Sequence, residues 1–174
     1  MILAFIIPIS LFLPEEIQKP KYLNAYLILI TIIFLHGIGD DLFNYSPKKK
    51  FFIQALLCSL LIYKTSFYLP LGSIFAKFAI SQNVSFIITL ISAVGIVNAY
   101  NLIDGSDGLA ASISLIASLF YATCFYLDGN LFFCIVALSA ASALTAFILY
   151  NKPPAYIFMG DSGSLFIGML LATF

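Results

Sequence analysis

The chain contains no tryptophan and no arginine, a single histidine, and only 9% charged residues among 174. A water-soluble domain of this size needs far more polar surface. With no arginine, and with eight lysines balanced by eight acids, it has no basic surface of the kind that binds nucleic acid. The three cysteines, Cys58, Cys124 and Cys134, stand in apolar runs with no Cys-x-x-Cys pair and no neighbouring histidine, so they read as reduced packing residues rather than a metal centre. What the sequence does have is hydrophobicity: 62% of its residues, and a mean hydropathy of +1.06. Spread along most of the length, that excess fits lipid as the solvent, and an aggregating soluble fragment is the weaker reading.

Crossing about 30 Å of hydrocarbon takes roughly 20 apolar residues. Runs of that order lie near residues 22–39, 51–69, 85–102, 109–127 and 131–150, with a further one opening at Ser164. Residues 1–13 are apolar but lack the positive n-region and small-residue cleavage site of a secretory signal, and read as part of a membrane helix. Backbone polar groups in lipid must be satisfied within their own segment, so each run is expected to be helical. The expectation is therefore all-α: one polytopic transmembrane bundle over residues 1–174, with about five full and two partial spans. Small residues in 110–118 and 139–146 predict close helix contact.

The connections, residues 14–21, 40–50, 70–83, 104–108, 128–130 and 151–163, are short and polar. Alternation puts the second, fourth and sixth on one face. The stretch 70–83, with Lys77, suits an interfacial hairpin or short surface helix. Lysines nearly tie between the faces: Lys48, Lys49, Lys50 and Lys152 against Lys19, Lys21, Lys64 and Lys77. The Lys48 to Lys50 cluster favours the first face as cytoplasmic.

The acids break that symmetry. Asp40, Asp41, Asp104, Asp107 and Asp161 all fall on the first face, from three separate connections, while Glu15, Glu16 and Asp128 lie opposite. Carboxylates near the membrane boundary need hydration or a cation, and five converging acids with few bases nearby repel one another. A divalent cation would resolve that repulsion. Mg²⁺ takes one or two carboxylates plus water and substrate phosphate, which suits a diphosphate. Any one pair alone, such as Asp40 and Asp41, reads more simply as a solvated helix end.

The strongest local signal is the stretch 98–109. Asn101 and Asp104 share a helical face, Gly105 and Gly108 predict a break, and Asp107 is placed to cap the next helix. A capped turn explains Asp107 and the glycines but leaves Asn98, Asn101 and Asp104 without a purpose. The third signal, 151–164, is a diproline turn leading to a Gly-flanked acid, Asp161, at a helix start whose backbone amides can hold anionic oxygen. Its Gly-Asp-Ser-Gly text also matches the nucleophile segment of trypsin-like proteases. That chemistry needs a histidine base on a soluble β-barrel, and the only histidine, His36, sits in an apolar helix, where it is expected to be buried and hydrogen-bonded. Lys48 and Lys50 read equally as phosphate partners or as anchors beside lipid headgroups.

Three segments in this order, residues 39–50 with Gln54, residues 98–110, and Asn151 with Pro154, Ala155 and residues 158–164, resemble the polyprenyl-phosphate N-acetylhexosamine-1-phosphate transferases of glycosyltransferase family 4. The resemblance covers essentially the whole chain. It implies transfer of a sugar 1-phosphate from a UDP-N-acetylhexosamine to undecaprenyl or another polyprenyl phosphate, releasing UMP, in cell-envelope polysaccharide synthesis such as that of cell wall or O-antigen. It implies Mg²⁺, or Mn²⁺ in its place, with Asp161 as principal ligand and Asp104 assisting at the metal and diphosphate. Asp40 and Asp41 would serve the lipid phosphate, Asn101 would lie near the metal, and Asp107, Asn151 and Phe158 near the nucleotide. The wording of the motifs looks more like the UDP-GlcNAc branch than the muramoyl-pentapeptide branch. The expected location is the inner (plasma) membrane with the active face cytoplasmic, and a homodimer is compatible with the sequence.

Phosphoryl transfer depends on in-line positioning and charge neutralisation. A phosphate monoester, with its second pKa near 6, is mostly dianionic at pH 7, so direct attack on the sugar-linked phosphate needs no strong base. Asp40 or Asp41 would position the acceptor or take a residual proton. A covalent aspartyl-phosphate route is the alternative. The family's usual earlier helices with a basic, Gly-rich segment, and its later loop rich in His and Arg, are expected to be missing, making this a partial member. An inactive membrane fragment and a cation channel lined by acids are the competing readings, and a channel would spread its acids through the bilayer depth.

Overall fold

The computed structural model describes residues 21–69, 71 and 81–174. The partial helix expected over residues 1–13, the acids Glu15 and Glu16, and Lys19 and Lys77 lie outside the described residues, as does most of the connection 70–83.

Among the described residues six helices are bounded, in order: α1 (Leu23–Phe43), α2 (Pro47–Thr65), α3 (Gln82–Ile103), α4 (Leu109–Leu127), α5 (Leu131–Asn151) and α6 (Gly160–Ala172). No strand occurs among the described residues. Four of them, α1, α3, α4 and α5, are long and apolar enough to cross a membrane, and the fold is that of a polytopic helical membrane protein. The expected fifth span at 51–69 is displaced. Pro47 opens α2 four residues earlier, where its missing N–H costs nothing, and Lys48, Lys49, Lys50, Gln54 and Lys64 make α2 less apolar than a free-standing span. The run opening at Ser164 is the 13-residue α6.

The shortest helix is the centre of the bundle. Every residue from Gly163 to Leu171 is buried, with α1 on one side and α3 on the other. On α1 the buried residues Tyr26, Leu29, Ile30, Ile33, Gly37 and Asp40 recur at three and four, one helical face turned to α6. α4 and α5 form a separate antiparallel hairpin whose turn, Asp128 to Asn130, is closed by the Asn130 side chain accepting from the Phe133 N–H at 3.3 Å. Its seam is built of Ala110, Ala111, Ser114 and Ser118 on one side and Ala137, Ala140 and Ala141 on the other, all buried. The small-residue contact expected from the sequence is this seam. Outward-facing Ile87, Ile91, Ile116 and Phe120 stay exposed, as lipid-facing positions should.

Since consecutive helices alternate in direction, the α1–α2, α3–α4 and α5–α6 connections gather at one end. A cavity of about 350 Å³, lined by Tyr22, Phe67, Thr89, Phe133 and Phe174 among others, sits near the opposite helix ends. Among the described residues no acid lines it, and the acids that converge do so at the first end.

Candidate active site

Asp40 and Asp41 end α1. Asn44 then takes the left-handed conformation (φ 48°), its N–H closing on the Asp40 carbonyl at 2.8 Å, and turns the chain into α2. The next residue, Tyr45, donates its N–H to Asp40 Oδ1 at 2.9 Å. Its ring folds back over α1, stacking on His36 at 5.5 Å between centroids, with the Lys49 ammonium 3.5 Å above it. This arrangement aims Lys50 inward. Its Nζ stands 2.5 Å from Asp40 Oδ2 and 2.8 Å from Asp161 Oδ2, joining α1 and α6 through one positive charge.

From α3, the Asn101 amide donates to Asp161 Oδ1 and, at 3.1 Å, to the Ser164 hydroxyl. Asp104, capping α3, accepts from the Gly160 N–H. Asp41 accepts from the next two amides of α6, Asp161 N–H at 2.8 Å and Ser162 N–H at 3.0 Å. The helix start expected to hold an anion therefore holds two of the chain's own carboxylates, at the end where the helix dipole favours negative charge. Close approach is needed for this. A Cβ on Gly37 would lie 2.7 Å from the Asp161 carbonyl oxygen, so only glycine lets α1 and α6 meet here.

A second lacing joins the outer connections. Asn151, buried at the end of α5, accepts from the Gly108 N–H at 3.0 Å and donates to the Ile157 carbonyl at 2.8 Å. Asp107, expected as the cap of α4, instead accepts from the Ala155 N–H at 3.1 Å, and Gly108 (φ 74°) occupies the cap position without a side-chain bond. Asp107 and Asn151 thus hold the turn 104–108 against the diproline loop. Phe158 stands 72% exposed beside Tyr156 on that loop. Asn98 is half-buried on α3, one turn below Asn101, and bonds the Val94 carbonyl of its own helix at 2.9 Å. Lys48 is exposed and meets no acid among the described residues.

The structure brings Asp40, Asp41, Asn101, Asp104 and Asp161 to one place with Lys50, and sets Asp107, Asn151 and Phe158 at its edge. In one respect the site differs from the expectation of mutually repelling acids. Their repulsion is already offset by Lys50 and by the backbone N–H groups of Tyr45, Gly160, Asp161 and Ser162, so it does not by itself require a metal. Asp104 still carries some of it: burial first, then the charges of Asp161 and Asp41, push its carboxyl up to about 6 against the opposing Gly160 hydrogen bond. His36 is buried as expected, but its Nε2 has no hydrogen-bond partner among the described residues, and neither has the amide of fully buried Gln54. Tyr45 and Gly37 escaped the sequence reading. A tyrosine directly after a helix-ending Asn, and a glycine one turn before Asp41, were the available signals.

Among the described residues, no three His, Cys, Asp or Glu side chains enclose a metal by themselves. The pair that shares the Lys50 charge, Asp161 and Asp40, is nonetheless a hard-oxygen set held about one positive charge, with the Ser164 hydroxyl beyond Asn101. That fits Mg²⁺, which completes its shell from water and phosphate.

A helical membrane protein with an acidic centre at one end of its bundle, assembled from three connections and one lysine, is the class these features define. The family model for glycosyl transferase family 4 matches residues 23–174, and the chain belongs to that family. It is similar to the probable undecaprenyl-phosphate N-acetylglucosaminyl 1-phosphate transferase of Bacillus subtilis (strain 168), 35% identical over 90% of this chain and 44% of that protein. The decaprenyl-phosphate N-acetylglucosaminephosphotransferase of Mycobacterium leprae (strain TN) is 34% identical over 83% of this chain and 40% of its own length. The phospho-N-acetylmuramoyl-pentapeptide-transferase of Prochlorococcus marinus (strain MIT 9301) is 36% identical over 87% and 47%. The chain spans less than half the length of these relatives.

Proposed function

We propose that this chain carries the reaction centre of a phosphoglycosyl transferase, which moves N-acetylhexosamine 1-phosphate from a UDP-sugar to undecaprenyl or another polyprenyl phosphate at the cytoplasmic face of the plasma membrane. The observation that carries the proposal is the convergence on Asp161: Lys50 from α2, Asn101 from α3 and Asp41 from α1 all meet the first turn of α6. In the reaction, an oxygen of the lipid phosphate attacks the sugar-bound phosphorus. The bond from that phosphorus to the bridging oxygen breaks, and UMP leaves. Asp161 and Asp40 would hold Mg²⁺, or Mn²⁺ in its place, with Asp104 beside them, and the ion would neutralise charge on the diphosphate. Lys50 lies within reach of the same phosphates and orients them by charge. The lipid phosphate is mostly dianionic at pH 7, so Asp40 needs only to position it or accept a residual proton. Phe158 offers an exposed ring to the nucleotide base, and Asn151 and Asp107 fix the loop that carries it.

The B. subtilis and M. leprae relatives favour an N-acetylglucosamine donor for this chain, and the P. marinus relative a muramoyl-pentapeptide one. Acids gathered at one end of the bundle rather than spread along its depth favour a transferase over a cation channel. The tight Lys48 to Lys50 cluster at the site end supports the cytoplasmic orientation.

The test is radiolabelled UDP-GlcNAc with undecaprenyl phosphate and the membrane-reconstituted chain, with and without Mg²⁺, followed by a panel of UDP-sugars that includes UDP-MurNAc-pentapeptide. Labelled lipid should form only with Mg²⁺. Asp161→Asn should lower its formation by at least ~100-fold, since outer partners of a metal already cost up to that much. No labelled lipid from any donor, or equal rates in wild type and variant, overturns the proposal.

A further inference from the structure

We infer that Asp41 is a positioning residue acting through Asp161: its carboxylate clamps the first turn of α6 and fixes where the Asp161 carboxylate stands, while the reacting phosphates meet Asp40, Lys50 and Asp161. The role given to Asp161 rests on the transferase reading, but the clamp does not.

Adjacent residues on a helix point about 100° apart, so Asp40 and Asp41 have different surroundings. Asp40 is 3% exposed and faces Lys50. Asp41 lies on the exposed side of α1, yet both of its oxygens are engaged, Oδ1 with the Asp161 N–H and Oδ2 with the Ser162 N–H. Those oxygens sit so near α6 that a Cβ on Gly160, itself at φ +67°, would lie 3.1 and 3.2 Å from them. Gly37, one turn earlier on the same face of α1, touches the same turn from its other side, against the Asp161 carbonyl and the Ser162 N–H. Asp104 holds the remaining amide, that of Gly160. Three successive amides of α6 are thus fastened by acids from the ends of α1 and α3. The Asp161 side chain projects from the middle of that turn toward Lys50 and Asn101. A carboxylate directed at two backbone N–H groups has its oxygens turned to the protein rather than to an acceptor phosphate. What it controls is the placement of its neighbour.

The experiment uses the full chain in lipid nanodiscs and compares wild type with Asp41→Asn, Gly37→Ala and Asp40→Asn in three measurements: Mn²⁺ binding by electron paramagnetic resonance, transfer as a function of Mg²⁺, and amide hydrogen exchange over residues 160–164. Asp41→Asn keeps the shape but only one acceptor oxygen. It should weaken Mn²⁺ binding by ~10–100-fold, the range for groups that orient a metal ligand, and raise the Mg²⁺ needed for half-maximal transfer equally. Raising Mg²⁺ should restore much of the turnover lost at low Mg²⁺, as expected when metal binding is the step affected. Exchange over 160–164 should accelerate. Gly37→Ala leaves every carboxylate in place and should move all three readouts the same way, and it carries the comparison alone if Asp41→Asn does not fold. Asp40→Asn, which removes a proposed metal ligand, should also weaken Mn²⁺ binding, but it should lower turnover even at saturating Mg²⁺ and leave exchange over 160–164 unchanged. Loss of transfer in Asp41→Asn at saturating Mg²⁺ with unchanged Mn²⁺ affinity would make Asp41 a reacting group and overturn the inference, as would unchanged exchange over 160–164. If the wild type neither binds Mn²⁺ nor transfers, the transferase reading fails. The exchange result then decides the clamp by itself.

Discussion

At the scale of single residues, the site separates its carboxylates by what each one faces. Asp40 faces an ammonium, Asp41 and Asp104 face backbone amides, and Asp161 faces both an ammonium and a side-chain amide. Asp104 is the one held against its preference. Its carboxyl is raised from 3.8 to about 6, so the folded chain binds that proton more tightly than the unfolded chain does. Stability from this group is therefore fully present below about pH 4 and is lost as pH rises through about 6. In buffer with EDTA, the thermal midpoint of the wild type should fall between pH 4 and pH 7 more steeply than that of Asp104→Asn, which keeps an oxygen for the Gly160 amide but cannot ionise. Equal slopes in the two proteins would show that Asp104 does not ionise at a cost. The sequence alone placed Asp104 on one face with Asn101, but the direction of its side chain depends on α6, which arrives from a stretch nearly 60 residues away.

Among the helices, α4 and α5 stand apart from the rest in how they are held. Of the other four, α1 and α3 flank α6 and α2 lies against α1 and α3, whereas α5 meets chiefly α4 through a seam of small residues. Such a seam gains from backbone proximity and has no room for a longer side chain. Ala111, fully buried on α4, is the test position. Ala111→Leu should destabilise the hairpin by ~1–3 kcal/mol, the usual cost of overpacking, read as a lower thermal midpoint. Ile116→Leu on the exposed side of the same helix should leave that midpoint unchanged. Apolar runs and punctuating Gly, Asn and Pro make these elements readable in the amino-acid sequence itself. Boundaries failed where a charged turn joined an apolar run: Lys48 to Lys50 suggested a loop, but they form the first turn of α2 because Pro47 starts a helix well and the three lysines are good helix formers. That one shift put Lys50 inside the site rather than beside it.

Taken whole, the molecule gathers its chemistry at one end because the chain reverses direction from helix to helix with short connections, and this was the most legible feature of the sequence. Three motifs on alternate connections could meet only if every intervening helix ran the full depth of the bundle. What the sequence could not supply was the balance of charge at the meeting point, since nothing local indicates that an ammonium from α2 reaches both Asp40 and Asp161. The same alternation yields a prediction about sidedness. Lys64, in the last turn of α2, and Lys152, just past α5, are both exposed and lie at opposite ends. In right-side-out bacterial spheroplasts, with the native cysteines replaced by serine, Lys64→Cys should react with a membrane-impermeant maleimide. Lys152→Cys should react only after the membrane is opened, since the proposed orientation puts the Lys48 to Lys50 cluster on the cytoplasmic side. Labelling of both from the same side would contradict α3, α4 and α5 crossing the bilayer in turn. The reversed pattern would preserve the bundle but move the acidic centre to the outer face, away from cytoplasmic UDP-sugars.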